Sequence, residues 1–290
     1  MFEMTLIYGF INSVVLVVAA LGFNITFGIS GVANFAHGAL YVAAGFFTFL
    51  LVKKLGLPFL AAAPVTMIVT AAAAALIYRF ILLRVRGLVV SEVIATFGVG
   101  LAVLEIFRYF GFVGFEYTLP VLIDASVQIG KTDVDLQRLI IVGVGILLSG
   151  FLWVFTRYTK TGLAFRGIAQ DERTALTLGV NADRVAAWSM AFGGAYVSLA
   201  AMVILPLGTI SVGEGYDVLT NSLAVCIVGG LGSTVGLVTA SFLIGYAQIL
   251  TATYVGSHWM MIVSLVAILV VLTIKPSGLF GHQKELEERI

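Results

Sequence analysis

RYTKTGLAFRGIAQDERTALTLGVNADR, Arg157 to Arg184, is a polar island set between long apolar runs. The whole chain of 290 residues is 60% hydrophobic and only 11% charged, so charge concentrated in one segment reads as a gripping point for something soluble, not as mere linker. A mean hydropathy of +1.10 with five prolines lies far outside soluble-domain composition. Such a chain needs a bilayer as its solvent.

Working outward from the island, apolar runs approach the roughly 20 residues that a hydrocarbon layer of about 30 Å demands of a helix. They are Leu6 to Ile29, Phe35 to Val52, Pro58 to Leu83, Val93 to Val113, Leu139 to Phe155, Val185 to Leu205, Val235 to Tyr254 and Trp259 to Ile274. Leu219 to Gly230 is a ninth, incomplete run. The expectation is an all-α polytopic membrane protein of about 8 to 9 spans, broken or re-entrant helices among them, forming one domain over residues 1–290. No charged stretch precedes Leu6, so the first run reads as a retained span and not as a signal peptide.

Lysine and arginine placement gives the orientation. Arg157, Lys160, Arg166, Arg173 and Arg184 on the island, and Arg79, Arg84 and Arg86 after the third run, mark cytoplasmic ends. The loop 114–137 carries Glu116, Asp124, Asp133 and Asp135 against Lys131 alone and should face outward. Counting backward puts the N-terminus outside, with Lys53 and Lys54 against the trend in an outer turn; counting forward, the tail from Lys275 is cytoplasmic only if Leu219 to Gly230 reverses the chain.

Several chemistries are absent from the sequence. A single cysteine, Cys226, leaves no internal disulfide, and His37, His258 and His282 have no metal-ligand spacing. No GxxxxGK[ST] occurs, and the glycine-rich stretch Gly229 to Gly236 lacks the lysine of a P-loop, so its glycines serve a helix break or close packing. No cofactor, catalytic residue or nucleic-acid partner is expected. Glu105 and Arg108 sit three apart near an outer helix end, spaced for a local ion pair. An intramembrane enzyme would need a buried reactive cluster, and an ion-driven carrier usually shows ionisable groups near the midplane.

Polar residues interrupt the apolar pattern in two places: Gly22 to Gly45, with Asn24, Thr26, Ser30, Asn34 and His37, and the stretch from Gly213 through Asp217, Asn221 and Ser222 to the glycines at 229, 230 and 232. Irregular backbone at membrane depth is tolerated only where protein or a water-filled cavity covers it. Asn24, Asn34, His37, Asn221 and Ser222, with Thr96 in the fourth run, are therefore translocation-path candidates. Polar side chains and glycines that simply mediate helix packing explain the same residues.

Within the island, Gly167 to Leu178 has good helix formers and no proline, with Glu172, Ala175 and Gly179 close to one face. Gly179, Val180 and Asn181 make a helix stop and turn, and Asp183 can begin the next helix. A short amphipathic helix across the cytoplasmic face suits docking into a partner's cleft.

These residues carry a family resemblance. Gly162, Arg166, Asp171, Ala175, Gly179, Asn181 and Arg184 are spaced as in the cytoplasmic coupling loop of ABC-importer permeases of the branched-chain amino acid (LIV) type. GISGVANFAHGALYVAAG, AVCIVGGLGSTVG and the ending KPSGLFG from Lys275 resemble that family's other signatures, in the same order along the chain; Gly167 departs from it, since alanine is more usual there. The resemblance implies the ABC-importer permease fold in a bacterial or archaeal inner membrane, with cytoplasmic ABC ATPase subunits, a second homologous permease and a periplasmic solute-binding protein as partners. It also implies that 157–184 is the coupling loop, with Arg166, Asp171, Glu172, Arg173, Ala175, Leu178 and Gly179 meeting the ATPase, and that Glu214 and Asp217 lie among the outer surfaces meeting the binding protein. Branched-chain or related amino acids are the expected cargo. The rival reading is a self-sufficient secondary transporter or channel for a small polar solute.

Overall fold

The computed structural model describes residues 2–110 and 117–281; Glu116, the end of the fourth run at Val113, His282 and the end of the tail lie outside them. Twelve α-helices follow in order. They are α1 (Phe2–Ser30), α2 (His37–Phe49), α3 (Phe59–Ile77), α4 (Leu83–Val85), α5 (Val89–Tyr109), α6 (Leu136–Tyr158), α7 (Lys160–Gln170), α8 (Glu172–Thr177), α9 (Ala182–Ile204), α10 (Val212–Gly229), α11 (Thr234–Tyr254) and α12 (Met260–Ile274). Two π-helical turns, Leu50–Lys54 and Tyr78–Leu82, extend α2 and α3.

Among the described residues, seven helices are long and apolar enough to cross a membrane. The α2 helix with its π-helical extension and α10 are each 18 residues, about 27 Å at the helical rise per residue, and lie beside that set. Both equal the shortest of the seven, Ser257–Ile274, in length, and each departs from a simple apolar span in its own way. α2 begins only after the chain has turned back at 31–36, whereas α10 carries Glu214 and Asp217, which lower its apolar content.

The centre of the bundle is α1 against α9, whose most apolar stretches are 67% and 61% buried; α12, at 6%, lies on the outside. Small residues set the spacing, as where the α2 and α10 backbones touch at Gly38 and Gly215, leaving no room for a side chain at Gly38. Helix ends sort into two faces. At one, Arg86 reaches Glu172 and Asp183, and Leu279 and Phe280 of the tail donate to the Val228 and Gly229 carbonyls at 2.8 and 3.0 Å. At the other, Ile210 N–H donates to Tyr117 O at 2.8 Å and Tyr8 donates to Asp133 O at 3.2 Å. The first face collects the island and the link after α3, where the basic residues concentrate; α10 runs from the second face back to the first.

The outer loop contains an antiparallel hairpin, β1 (Ser126–Ile129) with β2 (Thr132–Asp135), because Gly130 supplies the positive φ that a two-residue connection needs. Two expectations are corrected. The first break is confined to 31–36, with Asn24, Thr26 and Ser30 inside continuous α1; Thr26 and Ser30 return their hydroxyls to the Gly22 and Thr26 carbonyls and leave the helix unbroken. The second interruption is not a break until 230–233: Gly213, Asp217, Asn221 and Ser222 all lie within α10.

Candidate functional site

The island is two helices, not one. Thr159 caps α7 by accepting from Gly162 N–H at 2.9 Å, and Asp171 leaves helical geometry to cap α8, accepting from Thr174 N–H at 3.1 Å and from the Thr174 hydroxyl. Those bonds, the hydroxyl first, hold the fully exposed Asp171 carboxyl below the usual aspartate range. Asn181, not Asp183, caps α9, accepting from Arg184 N–H at 2.9 Å. Between α8 and α9 the chain turns at Gly179, whose φ of +84° is the left-handed conformation that closes a helix; Val180 N–H bonds back to Ala175 O at 3.1 Å.

The apolar face of this pair points inward. Phe165, Ile168 and Ala175 pack with Ala182 and Val185, and Phe165 meets Phe155 and Phe192 with ring centroids 5.8 Å away in each case. Ala175 therefore serves the clasp's own core and is not on its surface, contrary to a docking face built on Glu172, Ala175 and Gly179. What the clasp shows to solvent is Arg166, Arg173 and Gly179 together with apolar Leu176 and Leu178, the latter 80% exposed.

Arg86, which sequence reading used only for orientation, ties the clasp to the spans. It follows α4 at the end of the third span and forks between Glu172 on α8, at 2.6 Å, and Asp183 in the first turn of α9. All three side chains are at least a third exposed, so the fork adds little stability, but its geometry joins three elements.

The path candidates are brought together around α1. His37 Nε2 lies 2.9 Å from Ala19 O, and since a carbonyl only accepts, that nitrogen carries the proton. Ser222 donates to the same carbonyl at 3.3 Å, and Asn24 Oδ1 accepts from Gly232 N–H at 3.1 Å. The break at 31–36 is stitched by Asn34 Oδ1, which accepts from Ala36 N–H at 3.1 Å, and by Thr96 Oγ, which accepts from Phe35 N–H at 3.2 Å. All five side chains are buried within this single chain. Asn221 differs: it faces Gln248 and Ser264, its Oδ1 accepting at 3.1 and 2.7 Å. Gln248 also donates to Ser264 and accepts from Asn12, so α1, α10, α11 and α12 share one polar clasp. Asn12, Gln248 and Ser264 were visible in the sequence as isolated polar residues within apolar runs.

A polytopic helical bundle with a chain reversal at 31–36, a turn at GGLGS and a two-helix clasp on its basic face has the architecture of a membrane permease. The chain belongs to the branched-chain amino acid transport system permease family, whose model matches residues 5–272. It is similar to the high-affinity branched-chain amino acid transport system permease protein LivH of Escherichia coli K12, 27% identical over 281 residues that cover 91% of this chain and 90% of the relative. BraD of Pseudomonas aeruginosa, described in the same words, is 24% identical over 279 residues with 91% and 90% coverage. A probable LivH of Methanocaldococcus jannaschii is 25% identical over 288 residues, covering 93% and 90%. Among solved structures, PsaBC from Streptococcus pneumoniae, in complex with Fab, shares the fold at a TM-score of 0.52 and 17% identity, over 99% of this chain and 95% of that one.

Proposed function

We propose that this chain is the membrane-spanning permease subunit of a binding-protein-dependent ABC importer that moves branched-chain or related amino acids inward, powered by separate cytoplasmic ATPase subunits. The observation that carries this reading is the α7–α8 clasp. It is anchored to α6 and α9 by Phe155, Phe165 and Phe192 and to the third span by Arg86, yet presents Leu176 and Leu178, with Arg166 and Arg173, as exposed side chains. A rigid, partly apolar knob attached to three spans is a mechanical input. Closure of the ATPases on ATP would favour one setting of the clasp, and through it one of two arrangements of the permease, since an effector biases states only by differential contact with them. A second homologous permease and a solute-binding protein on the hairpin face complete the system.

The test is reconstitution of the complete transporter in vesicles. Uptake and solute-stimulated ATP hydrolysis should fall together when Asp171 and Glu172 are both reversed to Lys, with membrane insertion unchanged. ATP-independent uptake by the purified chain alone would instead show a secondary transporter or channel.

A further inference from the structure

α10 presents a polar stripe to the outside of the bundle, beside α12, whose exposed face is hydrocarbon. Tyr216 is 37% exposed, Asp217 is exposed and Thr220 is half-buried, with its hydroxyl returned to Tyr216 O at 2.8 Å. The depth follows from contacts. Gly215, on one side of Asp217, touches Gly38, the residue after His37, whose ring reaches Ala19 O; Ser222, on the other side, donates to that same carbonyl. Ala19 lies well inside α1, which runs from Phe2 to Ser30. The stripe is thus level with the interior of the bundle and not with either of its ends.

Asp217 makes no hydrogen bond or ion pair among the described residues. On α12, packed beside α10, the exposed side chains include Ile262, Leu265, Val266 and Leu269, as lipid requires. An unpaired carboxylate cannot face acyl chains without large cost, and groups of this kind at membrane depth face a bundle interior or water. Within this chain α10 already turns its apolar side inward, through Leu219, Ala224 and Val225.

We infer that Tyr216, Asp217 and Thr220 form this chain's wall of the water-filled solute route, placing a carboxylate where a solute bearing an ammonium group passes. This rests on the importer reading for its solute but not for its water. It also moves Asp217 from a surface for the binding protein to the route itself, and makes α10 the lining helix, with Ser222 behind it tying α10 to α1 and Asn24 holding the turn at Gly232.

The experiment is thiol labelling of the complete transporter in vesicles with a charged methanethiosulfonate. Cys226 is fully buried, so the unsubstituted chain supplies the background. Thr220→Cys and, as a second variant, Tyr216→Cys should label at least about ten-fold faster than Leu269→Cys on α12 and Leu243→Cys on α11, because the reactive thiolate forms in water and not in hydrocarbon. Labelling of both stripe positions no faster than the two lipid-facing controls, in the presence and in the absence of ATP and vanadate, overturns the assignment, whether lipid or the second permease covers them. Uptake measured on the same vesicles separates the two readings. ATP-driven uptake with an unlabelled stripe removes this inference and leaves the importer, whereas a labelled stripe with ATP-independent uptake removes the importer and leaves the stripe facing water.

Discussion

Gly179 and Asp171 bracket α8 and do different physical work. At a φ of +84° a side chain with a branched β-carbon meets its own backbone, and nothing else lies within 4 Å of a β-carbon built there, so strain is the whole effect of substitution. Gly179→Val should loosen the turn by about 1–2 kcal/mol. Gly179→Asn, whose side chain tolerates the left-handed region, should cost less, and solute-stimulated ATPase activity of the two variants should rank in that order, with membrane insertion equal. Asp171 gives a pH signature. Its carboxyl titrates below the ordinary value in the folded chain, so the contribution of the α8 cap is fully present above the unfolded value of about 4 and is lost as pH falls through the lower folded value. Uptake should therefore show no Asp171-dependent change between about pH 5 and pH 8. Asp171→Asn, which keeps an accepting oxygen, should match the parent across that window, whereas Asp171→Ala should be weaker throughout it. An activity step near neutral pH that vanishes in Asp171→Asn would overturn the capping role.

Whole elements were legible wherever an apolar run was long, and were misread where local hydrogen bonding competes with pattern. The island reads as one helix because good helix formers flank Asp171 on both sides, yet a carboxylate that can accept from Thr174 N–H ends one helix and starts another. The opposite error occurs in α10, where Gly213, Asp217, Asn221 and Ser222 look like an interruption. The backbone continues because Asp217 points out of the bundle while Asn221 and Ser222 find partners on α11, α12 and α1. Nothing in the linear pattern says that Asn12, Asn221, Gln248 and Ser264 converge, since they come from four helices. That convergence matters most for α12, whose Ser264 is its only buried residue among those described. Gln248→Leu removes the hub and leaves Asn12 and Asn221 short of partners. At roughly 0.6 kcal/mol for a typical hydrogen bond between membrane helices, the loss should be on the order of 1–2 kcal/mol. It should appear as a lower Tm in detergent and as faster proteolysis near Val255, with Gln248→Asn intermediate; an unchanged Tm would mean that apolar packing alone holds α12.

At the scale of the whole molecule, the two-faced topology was readable from charge placement alone, apart from Lys53 and Lys54. These lysines end the π-helical extension of α2 and are exposed. The structure makes the crossing number testable. If α2 and α10 cross, the chain passes the membrane nine times, and the turns after α2 and α11 share a face with the hairpin, while the turn before α5 and the clasp lie on the other. If α2 does not cross, the turn after it stays on the side where α1 ends and the start of α1 lies opposite; if α10 does not cross, the turn after α11 joins the clasp's side. Five exposed positions decide between these: Met4, at 52%, Leu55, at 69%, and Val255, at 67%, against Leu88, at 62%, and Leu178, at 80%. With a membrane-impermeant thiol reagent on intact cells, Met4→Cys, Leu55→Cys and Val255→Cys should react, whereas Leu88→Cys and Leu178→Cys should react only after permeabilisation. Protection of Met4→Cys in intact cells, with Leu55→Cys reactive, would mean that α2 enters and leaves by one face, because one crossing and not two would then separate those positions; protection of Val255→Cys would mean the same of α10.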